Sequence, residues 1–442
     1  MNGCQLDDVL FASHLHEVQR EIDAALAALG FDALVIAAGR ELPVFLDDQH
    51  YPFRANPWFS WLVPATAAPG SLLHCAPGRP PRLLFVSPED FWHSPPEVPD
   101  EPWTELVAVE PVPDSSTAVS RTTSIHGNVA WIGEENPPVA RWQANPPALL
   151  ARLEQARCRK SPYELSCLRA ASRSAAAGHL AAEQAFRRGA SEYDIHLAFL
   201  AAARQAENTL PYPPIVALNE HAAVLHYQRR DTQPPAHALS LLIDAGTSCH
   251  DYASDITRTW AAAPGLFATL VDRMHDLQQE LCRQVAPGAD WRELHLNAHR
   301  LVAQLLNEHG VIRMAPDNAV ASGVSAVFLP HGLGHLLGLQ VHDVGGFRPA
   351  ADAEPIPRPP GHPALRLTRR LEAGMVVTVE PGLYFIDSLL ARLRSGPHAG
   401  AVNWDLVERL RPCGGIRIED NVVVTATGGE NLTRVAFADA AG

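Results

Sequence analysis

The stretch LPHGLGHLLGLQVHDVG, residues 329–345, places histidines at 331, 335 and 342 with glycines packed among them. The chain has 21 histidines, so one cluster is weak evidence until other ligands are found. Acids at the ends of apolar strands supply them. In LSLLIDAG an apolar run ends in Asp244. Downstream, Asp255, Thr257 and Thr259 share one face by two-residue alternation, with Ile256 opposite. The short loop between these segments lets them pair and bring Asp244 and Asp255 together. MVVTVEPG puts Thr378 and Glu380 on one face, and GIRIEDN does the same for Arg417 and Glu419. Buried acids without a counter-charge repel one another and take up protons, and four on apolar strands are costly. Their summed charge matches two divalent cations, to which a neutral imidazole adds nothing. Carboxylate-rich, thiol-free ligation favours manganese or cobalt over cysteine-bound zinc. Two such ions, about 3.5–4 Å apart, polarise a carbonyl and activate water, so the implied chemistry is hydrolysis. HGLGH is not a zincin helix, because Gly332 follows the first histidine and Pro330 precedes it. The glycines instead suggest backbone packed tightly around the ions.

The elements that must aim these groups are legible. In 1–158, a helix carrying Ile22, Leu26 and Leu29 runs to Gly30, and FDALVIAAG and NVAWIG read as strands of an α/β domain. Residues 88–113, dense in proline and acids, read as surface loops. A domain boundary falls at Ser161-Pro162-Tyr163-Glu164, which combines an N-cap serine, proline at the first helical position and a glutamate three residues after the cap. An alanine-rich helix then runs to Gly189 and another starts at Ser191. Asp290-Trp291-Arg292-Glu293 repeats the capping pattern before a helix ending at Gly310. With its strand-like segments, 159–442 is predicted to be α+β, helices on a mostly antiparallel sheet. PIPRPPGHP, before Arg366, reads as a stiff loop.

A chain of 442 residues suits two or three domains. Hydrophobic residues make up 47% and charged residues 19%, an ordinary globular balance. The net charge of −14 argues against nucleic acid and anionic membrane as partners, and no run of about 18 apolar residues is present to span a bilayer. MNGCQLDDVL carries aspartates where a secretory signal needs positive charge. The cysteines at 4, 75, 158, 167, 249, 282 and 413 are odd in number and form no C-x-x-C pair, which suggests reduced thiols and a cytoplasmic location.

Asp244, Asp255, His335, Glu380 and Glu419, in that order and in the contexts HGLGH…VHD, VEPGLYF and GGIRIEDN, resemble the ligand set of the pita-bread metallopeptidases. Within that superfamily the chain is most similar to the bacterial prolidase (Xaa-Pro dipeptidase) family. FLDDQHYPFRANP, EDFWH, IVALNEHAAVLHY and HDVGGF extend the likeness over essentially the whole chain. The resemblance implies an α+β pita-bread catalytic domain behind a smaller creatinase-like α/β domain, and a homodimer holding two divalent ions per subunit, Mn2+ ahead of Co2+ or Zn2+. It implies hydrolysis of dipeptides ending in proline, with organophosphate esters and fluoridates as a side activity. Longer peptides, as cleaved by aminopeptidase P, are the alternative, and a peptide-binding pseudo-enzyme ranks below both. His335 would be the sole nitrogen ligand and His331 a neighbour shaping the pocket. Glu380 would also shuttle a proton. His342 and His226 would meet substrate near the scissile bond, and Arg366 would hold its carboxylate. Arg417 and Tyr212 would brace the site. Asp48 would reach a partner subunit's site and meet the substrate amine, with Trp92 nearby.

Overall fold

The computed structural model describes residues 6–64 and 68–441, so Cys4 lies outside the described residues. The chain divides into two compact units. One runs to Cys167 and includes Ala350–Ala353; the other holds Leu168–Pro349 and Glu354–Gly442.

In the first unit, α1 (Asp8–Leu29) starts at Asp7, whose side chain accepts from the Leu10 N–H, and stops at Gly30 in the left-handed region. Ile22 and Leu26 are buried, as their spacing requires. The apolar strand β1 (Ala33–Ala37) is buried along its whole length, because it is central in a six-stranded sheet. The others are β2 (Leu72–Cys75), β3 (Arg82–Val86), β4 (Ala108–Val112), β5 (Val129–Ile132) and β6 (Gln143–Ala144), in the order β4-β3-β2-β1-β5-β6. Helices α2 (Pro57–Ser60), α3 (Ser115–Thr122) and α4 (Pro147–Cys158) complete it. Strand β4 corrects the expectation of loop alone over 88–113. It pairs only with β3, and an edge strand tolerates Pro111, which has no N–H to give.

Helix α5 (Pro162–Arg187) opens on the expected capping box: the Ser161 N–H donates to Glu164 Oε2 at 2.8 Å and the Glu164 N–H to Ser161 Oγ at 3.3 Å. Helix α6 (Glu192–Ala203) is capped by Ser191, which accepts from the Asp194 N–H. The second unit then builds β7 (Ile215–Leu218), β8 (Ser240–Asp244), β9 (Ser248–Cys249), β10 (Tyr252–Ala253) and β11 (Thr257–Ala261). Helices α7 (Leu266–Arg283), α8 (Trp291–Glu308), α9 (Pro316–Ala321) and α10 (Val324–Phe328) follow. The rest is β12 (Val376–Val379), β13 (Gly382–Tyr384), α11 (Asp387–Ser395), α12 (Trp404–Leu410), β14 (Gly415–Arg417), β15 (Asp420–Thr425), β16 (Gly428–Asn431) and α13 (Leu432–Ala441).

Strand pairing in this unit is antiparallel throughout the described residues, but in separate short sheets: β11-β8-β7, β12-β15-β16, β13-β14 and β10-β9. Pro381, lacking an N–H, separates β12 from β13. At α8 the cap differs from the expected box: Asp290 accepts from the N–H and guanidinium of Arg292.

The sheet around β8 is two-faced. Val216, Leu218, Leu241 and Ile243 pack with Phe186, Ile195 and Phe199 of α5 and α6. Ile215, Ala217 and Leu242 face the other way, against Tyr384. Asp244 has the parity of Leu242, so the strand that buries Ile243 under helices aims Asp244 at the opposite face.

Cys75, Cys167, Cys282 and Cys413 are free thiols. Cys249 is disulfide-bonded, contrary to the expectation of reduced thiols throughout; proximity in the fold, not sequence spacing, decides which cysteines can bridge. No described helix is long and apolar enough to cross a membrane.

Candidate metal centre

Backbone register assembles the acids. Asp244 ends β8 directly opposite Thr257, the first residue of β11. Thr257 in turn bridges to Glu419, whose N–H donates to its carbonyl at 3.0 Å. Strand β8, the approach to β11 and the β14–β15 link thus bring Asp244, Asp255 and Glu419 into one place. The HGLGH segment lies along β12: the Thr378 N–H donates to the His335 carbonyl at 3.0 Å, and the Glu380 N–H to the Leu333 carbonyl at 2.8 Å. Gly334 permits this approach, because a Cβ there would sit 2.1 Å from the Thr378 carbonyl oxygen. Gly246 does likewise beside Asp244, with only 1.9 Å to the Ser254 carbonyl oxygen.

Asp255, His335 and Glu419 each offer a ligand atom within 4.8 Å of the others, and all three are buried. His335 Nδ1 lies 3.0 Å from the Leu336 carbonyl. A carbonyl only accepts, so Nδ1 carries the hydrogen and the neutral ring turns a bare Nε2 lone pair outward. That lone pair meets Asp255 Oδ2 at 3.4 Å and Glu380 Oε1 at 3.6 Å. In its neutral form the ring adds a nitrogen donor to the converging buried carboxylates, and this donor set fits divalent metal. Asp244 Oδ1, buried and without a hydrogen-bond partner, adds a further available donor.

The electrostatics follow from that crowding. Burial pushes the Glu380 carboxyl up to about 7. Glu419 stands well above the usual carboxylate range through burial and the neighbouring Asp255, Glu380 and Asp244. Asp244 is raised by burial, which outweighs its Arg417 partner. Asp255 is lowered: burial opposes this, but the His335 ring and the Tyr212 hydroxyl win. His335 is correspondingly raised, since Asp255 and Glu380 overcome its desolvation.

A hydrogen-bonded frame holds the carboxylates. Arg417 donates to Asp244 Oδ2 at 2.6 Å, to the Tyr384 hydroxyl at 2.7 Å and to Thr257 Oγ1 at 3.1 Å. Tyr212 donates to Asp255 Oδ1 at 2.7 Å, and Thr257 Oγ1 to Glu419 Oε2 at 2.7 Å. His331 Nδ1 faces the Gly332 carbonyl at 2.8 Å, leaving Nε2 to accept from the Tyr384 hydroxyl at 2.9 Å. His331 lies 3.6 Å from Glu380 Oε2. Tyr384 and Thr257 were given no role by sequence reasoning. Their signal was present, since both sit at alternating positions beside an acid or its neighbour.

The remaining candidates are less constrained. His342 is exposed, with its ring 4.4 Å from that of His335 in a T-shaped contact. His226 and Arg366 are exposed, and the charges of both act on His342. Asp48 and Trp92 belong to the first unit and are exposed; Trp92 lies against Phe91.

Residues 166–426 match the model of metallopeptidase family M24, and residues 9–155 match the N-terminal domain of Xaa-Pro dipeptidase. A Xanthomonas euvesicatoria protein named Xaa-Pro dipeptidase is 46% identical over 433 residues, covering 98% of both chains. One of the same name from Stenotrophomonas maltophilia is 45% identical over 435 residues, with the same coverage. Among solved structures, Pseudomonas aeruginosa aminopeptidase PepP superposes with a TM-score of 0.72 at 24% identity, over 97% of this chain and 98% of that one. Escherichia coli aminopeptidase P with the inhibitor Pro-Leu gives 0.72 at 25% identity, over 97% and 99%. The architecture is therefore an N-terminal domain joined to a pita-bread catalytic domain. Matched over more than half its length by the family model and along nearly all of it by these relatives, the chain belongs to metallopeptidase family M24, a family of hydrolases that work with divalent metal.

Proposed function

We propose that this chain is an Xaa-Pro dipeptidase that hydrolyses dipeptides with C-terminal proline. The carrying observation is its 46% identity, end to end, to proteins of that name. In this reading Asp244, Asp255, His335, Glu380 and Glu419 hold two divalent ions, manganese ahead of cobalt or zinc. Bound ions supply Lewis-acid polarisation of the carbonyl and activation of water. An X–Pro bond has no N–H to grip, so the protein must work from the carbonyl side. Glu380, with a carboxyl near 7, is suited to moving a proton at neutral pH. His342 and His226 contact substrate beside the scissile bond. The exposed Arg366 guanidinium takes the proline carboxylate in a forked pair, which restricts the site to a free C-terminus. Arg417, Tyr212 and His331 keep the carboxylates and the pocket wall in position.

We further read the chain as a cytoplasmic homodimer, divided at 158/159, in which Asp48 reaches the partner's site to meet the substrate amine with Trp92 nearby. The deciding assay offers Ala-Pro and an Ala-Pro-led tripeptide to metal-free protein reconstituted with manganese, cobalt or zinc. Dipeptide turnover, greatest with manganese, is expected. Preference for the tripeptide would make the chain an aminopeptidase P instead, and binding without turnover a pseudo-enzyme.

A further inference from the structure

A second group of side chains, sharing no residue with the carboxylate centre, has the composition of a metal site. His295 and His299 stand one turn apart on α8 and are each 1% exposed. His362, half-buried, comes from the proline-rich stretch 354–363, which forms neither helix nor strand. The three rings meet pairwise at 4.5 to 4.6 Å between centroids, all edge to face. One nitrogen from each lies within 4.8 Å of the others.

The nitrogens are incompletely satisfied. His295 Nε2 and His362 Nδ1 face each other at 2.9 Å, and His299 Nδ1 meets Ser325 Oγ at 3.1 Å. His295 Nδ1 and His299 Nε2 are buried with no hydrogen-bond partner. Leaving such atoms unmet costs about 1–3 kcal/mol each. Protonation does not relieve them, since burial and the neighbouring imidazoles hold His295 at about 2 and His299 at about 3. Neutral imidazoles are the metal-binding form. The Ser325 bond also does what an outer partner does at a metal site: with its hydrogen on Nδ1, His299 presents Nε2 bare.

We propose that His295, His299 and His362 form a second metal site, distinct from the carboxylate centre, that takes zinc through three imidazole nitrogens. The two sites then differ in ligand chemistry. Oxygen-rich ligation suits manganese, while an all-imidazole set selects zinc, nickel or copper from the same mixture. Three protein ligands leave a fourth position for water or an anion. The consequence for the fold is a clamp, tying α8 to the loop that leads into Arg366. By contrast, the cluster of Glu192, His221 and Asp231 carries no such inference. Glu192 is already met by His221, the Tyr227 hydroxyl and the Leu218 and Asp231 N–H groups.

The test uses the full-length protein, stripped with chelator and reloaded with zinc. An anomalous difference map at the zinc edge is expected to show a peak among the three rings, about 2.0–2.1 Å from a nitrogen of each. It is separate in position from any peak at the carboxylates, so its presence does not depend on the dipeptidase reading. His299→Gln is expected to lose one zinc equivalent by elemental analysis, that equivalent weakening ~100-fold or more, with manganese-supported peptidase activity kept. Hydrogen exchange across 356–366 should slow when wild-type protein takes up zinc. A map with zinc at the carboxylates and none among the histidines overturns the proposal, even if His299→Gln fails to fold. So does an unchanged zinc content in a folded His299→Gln.

Discussion

At the scale of single residues, each carboxylate is distinguished by what it is denied. Asp244 has one oxygen on Arg417 and one without a partner. Glu380 receives a long 3.4 Å contact from the Thr378 hydroxyl and is raised to about 7 by burial. If Glu380 is ligand and proton carrier at once, as proposed, it should not be replaceable. Glu380→Ala is expected to lower kcat on Ala-Pro by at least ~10²–10⁴-fold, and unchanged turnover would remove Glu380 from the ligand set. Its raised carboxyl also fixes the sign of a pH effect. Metal needs the carboxylate form, so below about pH 7 a proton must leave before metal enters, and above it none is displaced from Glu380. Calorimetry in buffers of differing ionisation heat should find more protons released per metal near pH 6 than near pH 8.5; equal release would contradict this. Arg366, exposed, has a different signature. Arg366→Ala should raise KM for Ala-Pro with a smaller effect on kcat, since a grip on the substrate carboxylate acts before and during the reaction alike.

At the scale of elements, the site is a product of strand parity and close backbone approach. Alternation along β8 buries Leu241 and Ile243 under α5 and α6 and sends Asp244 the other way. The HGLGH segment can run beside β12 only because residue 334 has no side chain. With 2.1 Å between a Cβ and the Thr378 carbonyl, backbone rather than a flexible side chain would have to move. Gly334→Ala is therefore expected to destabilise by about 1–3 kcal/mol and to displace His335. Thermal unfolding should show the first effect and lowered metal content the second. Wild-type metal content in the variant would mean that the strand tolerates the shift without moving its ligand.

At the scale of the whole molecule, the first unit carries a set of exposed apolar side chains, Phe45 at 86%, Leu46 at 91%, Phe91 at 86% and Trp92 at 78%. Phe45 and Leu46 precede Asp47–Asp48, and Phe91 and Trp92 lie within the EDFWH stretch. Apolar surface of this kind is kept for contact, which supports the homodimer reading. If Asp48 serves the partner's site, two variants with impaired sites should complement. Co-refolded Asp48→Ala and Glu380→Ala chains are expected to regain activity that neither shows alone, because one mixed site has both side chains intact. Failure to regain activity in verified mixed dimers would mean that Asp48 does not serve the partner's site.

The local rules of the polypeptide were legible from residue types. The Ser161–Glu164 capping box, the glycine stops at 30 and 310, the strands holding Asp244 and Val376–Val379, and the four acidic ligand candidates follow from alternation and capping, whereas the choice of His335 among its neighbouring histidines came from the family resemblance. Alternation and capping depend on neighbours within a few positions. Residue types alone did not disclose β4, whose Pro111 reads as loop until the edge position is known. Nor did they disclose the Arg417–Tyr384–His331 chain of hydrogen bonds, or the meeting of His362 with His295 and His299. Each of these is a contact between segments far apart in the chain. Such contacts are selected by packing density and by the register of distant strands, and no short-range pattern encodes them.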